Sequence, residues 1–224
     1  RLEEARKRLG IPWEVLERDY LLSWVLAGID QVESLRNTLV FKGGTALKKC
    51  YFGDYRFSED LDFSCVEGAP TGTAMEEAIG QACSTAAALL DEYAPLGSDG
   101  ERYTEREPHP GGQEAFTIRA QFPWHRQPHT RVIVEASVDE QVLMPPLARS
   151  VTHEYGEPLD TEMNVYALEE IVAEKLRAIL QHAEKLDHRG WSRSRARDYY
   201  DLWRVLQTYR DEMRLDDFRS FLAK

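Results

Sequence analysis

TLVFKGGTALKKCYFGDYRFSEDLDFS, residues Thr38 to Ser64, is the stretch that decides the reading of this chain. A short apolar run, Leu39-Val40-Phe41, meets a Gly-Gly pair. A helix-prone segment then starts at Thr45, and two aspartates one residue apart, Asp60 and Asp62, open a second apolar run. Gly43 and Gly44 carry no Cβ, so the backbone can turn tightly there and let a ligand approach its N–H groups. With a helix following, those groups sit at a helix N-terminus, where orphan donors and the dipole favour an anion such as a triphosphate. Taken alone, Gly-Gly reads first as a strand-to-helix turn with no ligand.

The aspartates add a second requirement. Residues i and i+2 of a strand point to one face, so Asp60 and Asp62 present two carboxylates side by side while Leu61 and Phe63 face the core. Two such carboxylates repel unless a cation lies between them. Hard oxygen ligands suit Mg²⁺, which one or two carboxylates hold together with substrate phosphates. The plainer reading is a polar strand end in which Ser58, Glu59 and Asp60 form a solvated turn.

Strand, Gly-Gly, helix, loop and a D-x-D strand is an order that resembles the polymerase-β-like nucleotidyltransferases. More narrowly, LVFKGGTALKKCYFGDYRFSEDLDF resembles the first motif of the AbiEii/AbiGii family of nucleotidyltransferase toxins, MenT-like members included, which act in type IV toxin–antitoxin pairs. The resemblance implies an α/β (α+β) fold, a mixed β-sheet core flanked by helices over residues 1–160. A C-terminal helical lobe, 161–224, is expected to complete the active-site cleft. It also implies Mg²⁺ or Mn²⁺, an NTP substrate, an RNA acceptor with the tRNA 3′ end foremost, and a cognate antitoxin as a possible partner. On the matching positions it puts Lys42, Gly43, Gly44, Thr45, Arg56 and Ser58 at the nucleotide, and Asp60 and Asp62 at the metal.

At 224 residues and 42% hydrophobic, the chain can bury a sizeable core as one domain or two small lobes. Its 28 basic and 39 acidic residues give a net charge of −11. Phosphate neutralisation dominates nucleic-acid affinity, so any RNA contact must use a local basic patch. Three cysteines without C-x-x-C spacing suggest reduced, partly buried thiols and no zinc site. No apolar run approaches a membrane span, no signal peptide opens the sequence, and a cytoplasmic protein is the expectation.

Pro12 to about Gly28 reads as a long helix with Pro12 at its first position. Trp13 and Trp24 are packing residues, and Arg18 and Asp19 belong to a solvated face. Thr73 to about Tyr93 is an alanine-rich helix, and Ala94 to Gly112 is a loop or weak hairpin. Gln113 to Phe122 alternates as a strand, Pro123 to Pro128 is a turn, and Arg131 to Val138 is a further strand. His125 and His129 read as surface-loop histidines. Glu135, mid-strand between apolar residues, is the candidate third carboxylate of a two-metal site, since an unpaired charge there would be costly to bury. Asp139, on the same face, is the fallback.

From Asn164 the pattern turns helical. Ala167 to about His182 puts Leu168, Ile171, Val172, Leu176 and Ile179 on one face, with Lys175 beside it. A snorkelling lysine accounts for that position. The string A-E-K-L-R-A also resembles the family's second block, whose lysine contacts the nucleotide phosphates, and this carries the role to Lys175. Lys185, Arg189, Arg193, Arg195 and Arg197, against Asp187 and with Trp191 among them, form a patch for triphosphate or RNA, or a flexible charged loop. Asp198 and Asp201 share a helical face with Tyr199, Leu202 and Val205 as packing candidates. They resemble the family's R-x-K-D-x-x-D-L block, with Arg197 in place of the lysine. Asp198 thereby takes an active-site role and Asp201 a nucleotide-binding one. A metal-dependent nuclease and a non-catalytic nucleotide-binding partner protein are the rival readings.

Overall fold

The protein is described from a computed structural model covering residues 1–103, 113–189, 194–214 and 218–222. Two compact units make up the chain. The first takes residues 1–140 and 147–165, the second 141–146 and 166–224.

In the first unit, α1 (Leu2–Leu9), α2 (Trp13–Gln31) and α3 (Glu33–Arg36) precede β1 (Leu39–Lys42). A short α4 (Gly43–Ala46) runs on into a π-helical turn, Leu47–Tyr51, and leads to β2 (Asp60–Cys65) and α5 (Thr73–Leu90). The strands β3 (Gly97–Arg102), β4 (Gln113–Gln121), β5 (Thr130–Ser137), β6 (Leu147–Ser150) and β7 (Glu162–Val165) follow. The seven described strands form one sheet in the order β3-β4-β5-β2-β1-β7-β6. Only β2–β5 and β1–β7 pair parallel, so the sheet is mixed, as expected. β2 lies between β1 and β5, which places the D-x-D pair inside the sheet.

α2 is the internal helix of this unit, packed on α5, β5 and β7. Every residue from Asp19 to Ile29 is buried, and a helix apolar on nearly all sides has no solvated face to offer. Its crossing with α5 is close at Gly28, where a Cβ would overlap the Ala82 carbonyl. Pro12 caps the helix rather than occupying its first turn.

Burial corrects the expectation for Asp19, which is 2% exposed and pairs with Lys49 at 2.8 Å. Ser23 Oγ lies 2.9 Å from the Lys49 ammonium, and the Tyr155 hydroxyl donates to Asp19 at 2.8 Å. Burial alone would push the Asp19 carboxyl up; Lys49 and Lys48 outweigh it and hold Asp19 below the ordinary value. Arg18 is half-buried and pairs with Glu59 at 2.8 Å.

His125 is also less exposed than a surface-loop residue, with its Nε2 3.1 Å from the buried Glu17, whereas His129 is exposed. Cys50, Cys65 and Cys83 are free, and burial pushes Cys50 and Cys83 up to about 12 and Cys65 to about 11.

Part of the Ala94–Gly112 segment is the edge strand β3, paired antiparallel with β4; residues 104–112 lie outside the described residues. The helical onset expected at Asn164 comes later, because Asn164 and Val165 end β7, pairing with β6 and β1.

The second unit contains α6 (Leu168–Arg189), α7 (Ala196–Tyr209) and α8 (Phe218–Leu222), with α7 and α8 both packed on α6. Residues 141–146 join it because the Leu143 and Met144 N–H groups donate to Glu170 in the first turn of α6, at 2.8 and 3.0 Å. No described helix is long and apolar enough to cross a membrane.

Candidate active site

In the first unit the site is built on three neighbouring strands. Lys42 of β1 is in register with Asp62 of β2, and Asp62 with Glu135 of β5. The alternation of β2 is as expected: Leu61 and Phe63 are buried, Asp60 is exposed and Asp62 half-exposed. Glu135 is half-exposed in β5 between buried Val134 and Ala136. A basic residue and two carboxylates thus form one row across the sheet. Asp139 is exposed in the bend after β5, outside that row.

The glycine turn closes over the row. Gly43 has φ +78°, and a Cβ there would strike the Asp62 carboxylate, so only glycine lets the turn and the acid approach this closely. Above Gly44 lie the Arg56 guanidinium and the Ser58 hydroxyl, at 2.7 and 3.2 Å from where a Cβ would be. Arg56 and Ser58, distant from the glycines in sequence, are therefore brought to the cradle.

Thr45 lies beneath it, fully buried, donating its hydroxyl to the Asp60 carbonyl at 2.6 Å. That bond ties the turn to the D-x-D strand. The π-helical turn that follows is pinned by Lys49 on Asp19 and by Lys48, which pairs with Glu154 at 3.5 Å and lies 4.3 Å above the Phe57 ring. Single π turns recur at functional sites.

Sequence reasoning missed Glu140. Its carboxylate pairs with the Lys42 ammonium and accepts from the Ser64 hydroxyl at 3.2 Å. It lies beyond the end of β5, and no periodicity or motif marks such a loop residue.

In the second unit, Lys175 is buried in α6. Its ammonium is 2.5 Å from Asp201, which is fully buried, and 3.4 Å from Asp198. Arg195 reaches the other oxygen of Asp198 at 3.3 Å. The lysine and both aspartates of the two C-terminal motifs thus meet, although 23 and 26 positions separate them in sequence. Leu202 and Val205 pack inward, but Tyr199 is 58% exposed and is not a core residue. Of the basic cluster, Arg197 is exposed; the side chains of Lys185 and Arg189, and Trp191 and Arg193 altogether, lie outside the described residues.

Among the described residues no three His, Cys, Asp or Glu side chains form a group able to hold a metal ion. The donor chemistry still fits Mg²⁺, which is bound through one or two carboxylates with substrate phosphates completing the shell. Asp60 and Asp62 would supply the carboxylates of such a site, and the glycine turn lies beside them.

A D-x-D strand joined through a glycine turn to a mixed sheet fits a nucleotidyltransferase, a class of enzyme that uses an NTP and a divalent metal. The chain belongs to the family of AbiEii nucleotidyl transferase toxins of type IV toxin–antitoxin systems, whose model matches residues 24–224. Such a toxin has an NTP as substrate and an antitoxin as partner. The protein is also similar to the nucleotidyltransferase toxin MenT4 from Mycobacterium tuberculosis H37Rv, with 26% identity and a TM-score of 0.57, over 96% of this chain and 71% of that one. No protein curated for function matches the sequence.

Proposed function

We propose that this toxin transfers a nucleoside monophosphate from an NTP to the 3′ end of an RNA, with tRNA as the acceptor and Mg²⁺ as the metal. The observation that carries this reading is the row Lys42–Asp62–Glu135 under the Gly43-Gly44 turn. In the reaction the RNA 3′-oxygen bonds to the α-phosphorus, the α–β bridging bond breaks, and pyrophosphate leaves. Glu135 takes the hydroxyl proton. The N–H groups of the turn, Arg56 and Ser58 seat the β- and γ-phosphates, while Lys42 balances charge beside Asp62. Thr45 holds the turn against the Asp60 backbone.

Asp60 and Asp62, completed by Glu135, would hold Mg²⁺, which would neutralise phosphate charge and acidify the attacking hydroxyl. To Lys175 we assign, from the resemblance of its motif, neutralisation of the departing pyrophosphate. Asp198 and Asp201 fix its ammonium, and Asp201 adds to nucleotide binding through it. Catalysis of this kind is positioning and electrostatics.

The test is incubation with Mg²⁺, total cellular RNA and each labelled NTP in turn, beside an Asp60→Ala/Asp62→Ala control. Label entering a discrete RNA band from one NTP, and absent in the control, is the expected result. RNA cleavage, or an Asp62→Ala variant with full transfer activity, would overturn the assignment.

A further inference from the structure

α7 sorts its residues by chemistry. The inner face holds Asp201, Leu202 and Val205, all buried, with Asp198 against Lys175. The outer face carries Tyr199, Trp203 and Leu206 at i, i+4 and i+7, respectively 58%, 54% and 38% exposed. Tyr200, 38% exposed, lies beside them, its ring centroid 5.9 Å from that of Trp203. Three of the four large aromatic side chains exposed among the described residues are on this one helix. Core packing does not account for them.

The charge of the segment is equally uneven. Arg195 to Arg210 contains four arginines, Arg195, Arg197, Arg204 and Arg210, against Asp198 and Asp201, in a chain of net charge −11. Both aspartates are engaged with Lys175, and Asp198 also with Arg195. Arg197, three residues before Tyr200, and Arg210, beyond Leu206, are exposed, and Arg204, four residues after Tyr200, is half-buried. The next acids along the chain are Asp211 and Glu212, in the turn after the helix.

Exposed rings flanked by arginines suit unpaired nucleotides: each base stacks on a ring while the guanidinium groups meet phosphates. We infer that the outer face of α7 is the platform on which unpaired nucleotides of the acceptor RNA stack. This rests on the acceptor being an RNA. The N-terminal end of the stripe, Tyr199 and Tyr200, adjoins Asp198 in sequence, so RNA lying along the face runs toward the Lys175 end of this unit.

Binding is measured by fluorescence anisotropy of a short labelled single-stranded RNA on the whole chain. The catalytic acids are silenced as Asp60→Asn/Asp62→Asn, so affinity is read without turnover. Trp203→Ala and Tyr199→Ala each weaken binding by about 5- to 150-fold, the worth of one stacked base, and Trp203→Phe restores most of it. Arg197→Ala lowers the slope of log affinity against log salt by about 0.7. Leu89→Ala, an exposed leucine on α5, changes nothing. In the active chain, Trp203→Ala raises the KM for RNA and leaves that for NTP alone.

Unchanged RNA affinity in both aromatic variants overturns the platform. If those variants instead shift the mass seen by light scattering, the face is a contact between copies of the chain. An active transferase with intact RNA binding in the α7 variants sinks the platform alone. Aromatic-dependent RNA binding by a chain that transfers no nucleotide sinks the transferase reading and leaves the platform standing.

Discussion

Gly43→Ala tests how closely the Gly43-Gly44 turn and Asp62, the proposed catalytic acid, are fitted together. Two costs are separable. The first is conformational, because φ at Gly43 is +78° and an L-residue in that region costs roughly 1–2 kcal/mol. For a chain of this size that is a fall in Tm of about 2–8 °C. The second is steric: the new Cβ would lie inside the 3.0 Å that such atoms respect around the Asp62 carboxylate, and only 3.2 Å from its Cγ. Relief requires Asp62 or the turn to move by up to about 1 Å, a misplacement that can cost about 100-fold in rate. The expected variant is folded, slightly less stable, and about 100-fold lower in kcat for nucleotide transfer. Gly44→Ala is the control: its φ lies outside the positive range, and its nearest neighbour is the flexible end of Arg56, so a loss below about 10-fold is expected. Initial rates with saturating NTP, alongside thermal melts, separate the two costs. A Gly43→Ala protein with unchanged kcat would refute the argument that Asp62 acts from its position against this turn.

Further outcomes follow from the charged groups. Burial, and then Lys49, hold the His153 imidazole below its ordinary value, so the folded chain takes up that proton at lower pH than the unfolded one. Its contribution to stability is complete above about pH 6.5 and is lost as pH falls through the folded-state value; Tm should drop on acidification, and less so in His153→Gln. Asp201→Ala should destabilise the chain by roughly 3–5 kcal/mol, since it removes the buried partner nearest Lys175. Asp198→Ala, at a partly exposed carboxylate, should cost little stability in urea melts yet lower transfer at least about 100-fold. Glu140→Gln releases Lys42 from its ion pair, and the KM for NTP should change by about 5-fold, the worth of one partly exposed pair.

What was legible in the sequence is what local geometry writes there. A period of two put Asp60 and Asp62 on one face, and Glu135 in a strand between buried neighbours was bound to be half-exposed. The 3.6 period placed Asp198 and Asp201 together on α7 and Lys175 at the edge of an apolar stripe, and the fold closed them into one cluster. Illegible were features set by distant partners. β6 and β7 are four residues each, too short for periodicity to declare, and exist because β7 pairs with β1. Asp19 looked solvated because a charged residue on a helix usually is, and its partner Lys49 is thirty positions away. Glu140 follows the same rule, since a loop acid acquires meaning only from the lysine it meets.

The buried pair Lys49–Asp19 makes this point in energy. Taking two charges out of water costs several kcal/mol each, and replacing such a pair by apolar side chains of similar volume is often neutral or stabilising by about 1–4 kcal/mol. Stability therefore does not explain a pair that is 2% exposed on both sides. Its location does: Lys49 is in the π-helical turn that begins four residues after Gly43, and its ammonium is held by Asp19 Oδ2, the Asp19 carbonyl and Ser23, all on α2. The pair fixes the rotation of the turn, and through it Thr45 and the cradle, in a way that apolar contacts, which have no direction, would not. Asp19→Leu/Lys49→Met should accordingly melt at or above the wild-type temperature while losing transfer activity and NTP affinity. Lys49→Met alone should lose roughly 3–5 kcal/mol, because Asp19 is left charged and buried. A double variant that is both stable and fully active would mean that the pair orients nothing at the site, and that its geometry is carried by packing alone.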